Sequence, residues 1–169
     1  KNDEKYEQAY FSKYPNVWHH GDFIIKTRRK TFVVEGRSDA TLNPGGIRIG
    51  TAEIYRHVEN HEKVKEALAV GQDWEGDQRI ILYLIMKDGV TLNDNLVLEI
   101  KSLIRQKASP RHVPSKIFQV NDFPRTRSGK ISELAVKDII HGKEIKNTEA
   151  LINPEILNIF KEFSDLFEK

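Results

Sequence analysis

The sequence predicts an α+β fold: a small three-stranded sheet packed with helices, preceded by a β-hairpin that stands outside it. Three observations predict it. From residue 47 onward the hydrophobic period runs helical, alternating, alternating, helical, alternating, helical, helical, which is the order α-β-β-α-β-α-α. Turn chemistry, at Asn43-Pro44-Gly45-Gly46 and His141-Gly142 among other places, falls between these runs. The size suits one such unit. The chain has 169 residues, 38% of them hydrophobic, with eight Phe, five Tyr and two Trp, enough apolar material for a core and too much for a chain disordered throughout.

Each element has its own warrant. Residues 1–17 are polar, carry Tyr6, Tyr10, Phe11 and Tyr14, pass Pro15, and read as the ragged beginning of something larger. Residues 22–27 and 31–35 are β runs around the basic turn Arg28-Arg29-Lys30, hence a hairpin. Thr51 is placed to cap a helix with Ile54, Tyr55 and Val58 on one face. Residues 64–71 and 79–86 are strands, the second containing the longest apolar run. Asn93 or Asp94 caps a helix with Leu96, Ile100, Leu103 and Ile104 at helical spacing. Residues 116–120 form a further strand, and 131–140 a helix ending at His141-Gly142. Asn153-Pro154, a cap followed by proline at the first helical position, opens a last helix bearing Leu157, Phe160, Phe163 and Phe167.

Composition excludes several classes. No apolar run approaches the roughly 18 residues of a membrane span. Lys1-Asn2-Asp3-Glu4-Lys5 is too charged to be a secretory signal. The absence of cysteine removes disulfides, thiolate metal sites and a Cys nucleophile, and fits a reducing compartment; the expected location is cytoplasmic. The 27 Lys+Arg nearly balance 25 Asp+Glu, but residues 101–137 hold nine bases and two acids. An anionic ligand is expected there. Nucleic acid is not expected, because only Phe118 and Phe123 interrupt that stretch and no aromatics alternate with its bases.

Three segments carry possible chemistry. In Trp18-His19-His20-Gly21-Asp22, the adjacent histidines would point to opposite faces of a strand and lack the spacing of a metal site, so no metal is expected. Asp22 can accept two hydrogen bonds from a sugar diol, or serve as a turn cap. Residues 36–50 hold four glycines, Arg37, Arg48 and Pro44, and then a helix opens. The glycines allow positive φ and close approach of a ligand, the arginines offer forks for phosphate or ribose oxygens, and a plain connecting loop would account for the glycines alone. Pro124-Arg125-Thr126-Arg127-Ser128-Gly129-Lys130-Ile131 imitates the end of a P-loop, but the first glycine of that motif is missing and Lys130 is followed by isoleucine. It leaves a mobile lysine on a basic turn, able to reach a phosphoryl group or simply to be solvated.

In this order the three segments resemble the adenylate-forming enzymes: acyl-CoA synthetases, the adenylation domains of peptide synthetases, and luciferases. The match runs from Trp18 to about Gly142. Within that superfamily the wording is most similar to the branch that activates acetoacetate. It rests on WHHGD, GRSDATLNPGGIRIGTAEIY, ASPRHVP, and PRTRSGKI followed by ELAVK and HGK. The tail helix after Asn153-Pro154 fits the same branch. Acetyl-CoA and propionyl-CoA synthetases share the skeleton with different wording.

The resemblance implies a C-terminal portion: residues 1–38 ending a large adenylation domain, and 39–169 forming a mobile C-terminal domain with a helical tail. The large N-terminal domain, expected in cis, would bring the adenine and carboxylate pockets. The implied reaction joins acetoacetate, ATP and CoA. An acyl-adenylate and pyrophosphate form first, with magnesium on the phosphates and not on this portion. The small domain then turns, and the CoA thiol displaces AMP. By the same resemblance Asp22 and Arg37 meet the ribose, Arg48 the nucleotide phosphate, and Lys130 the reacting carboxylate and α-phosphate. Gly46 borders the pantetheine path, Arg105 meets the CoA phosphates, and Asp39 is the hinge. This portion alone is expected to be inactive. A non-catalytic anion-binding module is the alternative of a different class.

Overall fold

The computed structural model describes residues 3–145 and 148–165. The seven elements expected after residue 47 are present in the expected order. Helix α2 spans Thr51–Val58, strands β3 and β4 Val64–Trp74 and Asp77–Met86, and helix α3 Asp94–Lys107. Strand β5 (Lys116–Gln119), helix α4 (Glu133–Ile140) and helix α5 (Leu157–Asp165) complete the domain. Ahead of them lie helix α1 (Asp3–Tyr10) and the hairpin strands β1 (Asp22–Lys26) and β2 (Phe32–Arg37).

The sheet order is β3-β4-β5, antiparallel between β3 and β4 and parallel between β4 and β5. Strand β4 is central and apolar on both faces, as a strand covered on both sides must be. Ile80, Leu82, Leu84 and Met86 pack with Ile54 and Val58 of α2 and Leu96, Ile100 and Ile104 of α3. Ile81, Tyr83 and Ile85 pack with Val136 and Ile140 of α4 and Phe160 of α5. The β3–β4 strands run longer than the sequence suggests, closing on a two-residue turn at Glu75-Gly76 with φ of 50° and 79°. Both central residues being left-handed matches the right-handed twist of the strands. No helix among the described residues is long and apolar enough to cross a membrane.

Four local expectations are corrected. The first seventeen residues contain a helix, α1, because Trp18 gives Tyr10 a stacking partner with ring centroids 4.1 Å apart, and Phe11 an edge contact. Gly50, not Thr51, is the N-cap of α2. A Cβ there would stand 2.2 Å from the Glu35 carbonyl oxygen, and the Glu53 carboxylate accepts the Gly50 N–H at 2.9 Å. Helix α4 begins at Glu133, since Ile131 is bridged to Arg125 and Ser132 N–H donates to Pro124 O. The tail begins as a 3-10 turn, Pro154–Ile156, before α5, and Phe167 lies outside the described residues.

Candidate functional site

The end of the hairpin gathers three of the sequence-derived candidates. Asp22 opens β1 and faces Arg37 across the ladder. His20 Nδ1 donates to Asp22 Oδ2 at 2.6 Å, and Arg37 Nε lies 3.9 Å from Asp22 Oδ1. Arg37 also forks onto Asp39, Nε to Oδ1 at 3.3 Å and a terminal nitrogen to Oδ2 at 3.0 Å. That bond to Asp39 holds the guanidinium charged against the opposing effect of burial. The proposed pivot and the proposed ribose arginine are therefore one ion pair. His19 turns the other way, edge-on to Tyr14, and no group of three or more His, Cys, Asp or Glu among the described residues could hold a metal ion.

The glycine loop has a different support. Buried Leu42 and Ile49 bridge its two ends. Within it Pro44–Gly46 makes a 3-10 turn in which Gly45 and Gly46 have φ of 60° and 74°. The tip of the β3–β4 hairpin pins this turn. Both carboxylate oxygens of Asp77 accept the Gly45 N–H at 3.0 Å, and Gln78 Oε1 accepts the Asn43 N–H at 2.6 Å. Space beside Gly46 is open, with nothing within 4 Å of where a Cβ would stand. Arg48, at the loop's exit, lies 5.8 Å from the ring centroid of Phe23 and so leans on the hairpin. Arg105 is exposed on the last turn of α3. Asp77 and Gln78 were not among the sequence candidates: a hairpin tip 32 and 35 residues further on leaves no local signal.

Lys130 ends a five-residue loop fastened from three directions. Thr126 and Lys130 are joined by Thr126 N–H to Lys130 O at 2.8 Å, and Gly129, at φ 80°, donates to Thr126 O. Arg125 is committed to Glu66 at 2.6 Å and Asp122 at 3.3 Å. Asn153, expected to cap a helix, makes no cap bond. It accepts the Arg125 N–H and donates to Asp122 and to Phe123 O, strapping the loop to the tail. Of the basic groups in this segment, Arg125 and Arg127 have partners, Arg127 at Glu149 O. The Lys130 ammonium is exposed and shows no hydrogen bond or ion pair among the described residues.

A half-buried polar cluster links these parts. Tyr55 of α2 donates to Glu133 Oε1 of α4 and accepts the Ala69 N–H of β3 at 3.0 Å. Thr51, one turn before Tyr55 on α2, is buried. Burial raises the Glu133 carboxyl above its ordinary range against the opposing effects of Tyr55 and Thr51; Asp39 adds to the rise and Arg37 opposes it. Burial also drives the Tyr55 hydroxyl well above its usual range. The i, i+4 spacing of Thr51 and Tyr55 was legible in the sequence, but the partner of Tyr55 lies 78 residues away.

The model of the C-terminal domain of AMP-binding enzymes matches residues 56–130. The acetoacetyl-coenzyme A synthetase of Rhizobium meliloti (strain 1021) is 57% identical over 162 residues, which are 96% of this chain and 25% of that protein. The acetoacetyl-CoA synthetase of Rattus norvegicus is 44% identical over 168 residues, 98% of this chain and 25% of that protein. Among solved structures, acetoacetyl-CoA synthetase from Streptomyces lividans superposes with a TM-score of 0.87 at 35% identity, covering 98% of this chain and 25% of that one. The chain spans about a quarter of the length of the relatives it matches.

Proposed function

We propose that this chain is the C-terminal portion of an acetoacetate-CoA ligase, because residues 56–130 match the model of AMP-binding enzyme C-terminal domains and nearly its whole length is similar to acetoacetyl-CoA synthetases. The enzyme joins acetoacetate, ATP and CoA through an acyl-adenylate, releasing pyrophosphate and then AMP. The observation that carries the reading is Lys130. Thr126, Arg127, Ser128 and Gly129 of its loop each make a hydrogen bond, while its ammonium stands exposed on a glycine turn. A charge so presented offsets negative charge gathering on the carboxylate and α-phosphate in the adenylate-forming step.

The other roles follow from the same reading. Asp22 and Arg37 hold the ribose, which displaces His20 from the Asp22 carboxylate. Arg48 meets the nucleotide phosphate. Gly46 borders the pantetheine path, where the open space beside it admits a thiol arm. Arg105 takes a CoA phosphate. Asp39 is the pivot between residues 1–38 and 39–169, and turning there breaks its fork to Arg37. Magnesium, which accompanies ATP, finds no ligand set among the described residues. Support for an N-terminal domain in cis comes from the hairpin, where Ile24, Ile25, Phe32 and Val34 are more than half exposed.

The test is Lys130→Ala in the full-length enzyme, with the half-reactions assayed separately. Pyrophosphate formation from ATP and acetoacetate should fall about 10²–10³-fold. Thioester formation from pre-made acetoacetyl-adenylate should persist, and equal loss in both would overturn the assignment.

A further inference from the structure

We propose that Glu133 is a positioning residue for Lys130, acting through Tyr55; this rests on the catalytic reading of Lys130. Only Ile131 and Ser132 separate the lysine from Glu133, the first residue of α4. The free part of the lysine's path therefore starts from a short segment whose far end is the first turn of α4. The side chain of Glu133 sets that turn against the rest of the domain. Its carboxyl accepts the Tyr55 hydroxyl of α2. The Tyr55 oxygen is itself fixed by the Ala69 N–H on β3. The chain of bonds thus runs from the sheet, through α2, to the segment that presents Lys130.

A carboxyl is a costly way to fill this space, since burial opposes its charge and an apolar pair would pack there without that opposition. What the polar pair adds is direction. A hydrogen bond accepts only a narrow range of angles, so it selects one rotation of α4 where an apolar contact tolerates several. Tyr55 of α2 bonds the Glu133 carboxyl directly, and Thr51 of α2 with Arg37 and Asp39 from the end of the hairpin add electrostatic influences on it. The carboxyl that seats the lysine's segment therefore also feels the charges of the ion pair at the proposed pivot.

The experiment compares Glu133→Ala, Glu133→Gln, Tyr55→Phe and Lys130→Ala in the full-length enzyme. Glu133→Ala and Tyr55→Phe should each lower kcat for adenylate formation about tenfold, less than the 10²-fold that a 1 Å misplacement can cost, with KM for ATP nearly unchanged. Thioester formation from pre-made adenylate should stay within about twofold. Glutamine still accepts the Tyr55 hydroxyl, so Glu133→Gln should recover most of the lost rate. The inference is overturned if Glu133→Gln is no better than Glu133→Ala, or if both half-reactions fall together. Should Glu133→Ala not fold, Tyr55→Phe and Glu133→Gln decide it by the same criteria. An intact first half-reaction in Lys130→Ala would overturn the lysine's own role. A damaged Lys130→Ala beside an intact Glu133→Ala would overturn this inference alone.

Discussion

The central strand β4 and the hairpin β1–β2 both carry apolar strand runs and end in opposite environments. Both are apolar runs with the strand signal, isoleucine, leucine and tyrosine in β4 and phenylalanine, isoleucine and valine in the hairpin. In β4 every residue from Ile80 to Met86 is buried, because α2 and α3 cover one face and α4 and α5 the other. In the hairpin Ile24 is 56% exposed and Phe32 61%. Its closest support is α2, reached where Gly36 and Gly50 let backbones meet: a Cβ on Gly36 would be 3.1 Å from Thr51 Oγ1. Strand propensity specifies a pleated backbone, and burial has to be supplied by whatever packs on it. Small glycines at this contact leave it able to separate without disturbing a core.

Substitutions should separate the two regions clearly. Leu82→Ala removes a fully buried side chain from the middle of the sheet and should cost about 2–5 kcal/mol. Ile24→Ala in this same chain should cost no more than about 0.5 kcal/mol. Urea unfolding of the 169-residue chain measures both. An Ile24 cost as large as the Leu82 cost would mean that the hairpin is already covered, for instance by a second copy. In the proposed full-length ligase the Ile24 cost should rise toward the buried value, which sharpens the comparison.

Gly50→Ala tests the contact between the regions. Its backbone φ of −74° suits alanine, so the whole penalty comes from the approach to the Glu35 carbonyl. Overpacking of this kind costs about 1–3 kcal/mol. Hydrogen exchange should quicken in the hairpin amides, with protection in β4 retained; uniform loss across both would show that the two unfold as one unit.

The smallest effect concerns pH. Folding raises the Glu133 carboxyl above its ordinary value, chiefly by burial, so the unfolded chain gives up this proton first as pH rises. Stability from this group is therefore present at pH below the ordinary carboxylate range and lost as pH climbs through the raised native value. Glu133→Gln cannot titrate, and its stability curve should be flatter over that window. Parallel curves for the two proteins, from thermal melts between pH 4 and about 8, would show that the carboxyl does not carry the dependence.

What the sequence determined by itself was local. The order of elements after residue 47 follows from hydrophobic period, and Asn93 caps α3 as its type suggests, accepting the Leu96 N–H at 2.9 Å. Arg28-Arg29-Lys30 turns the hairpin, with Lys30 at φ 61°. The segments that bear Asp22, Gly46 and Lys130 could be singled out because glycine, proline and charge cluster in each. Only the tertiary structure decided the rest. Helix α1 needs Trp18 to pack against. Gly50 takes the cap from Thr51 because a carbonyl from another strand stands beside it. Asn153 looks like a cap but binds Arg125, 28 residues away. The Tyr55–Glu133 bond and the Asp77 clasp on Gly45 join residues that share no local pattern. Periodicity and turn chemistry are set by neighbours along the chain, so they can be read from it. A hydrogen bond between distant residues exists only once the packed sheet and helices have placed donor and acceptor within three ångströms or so of each other.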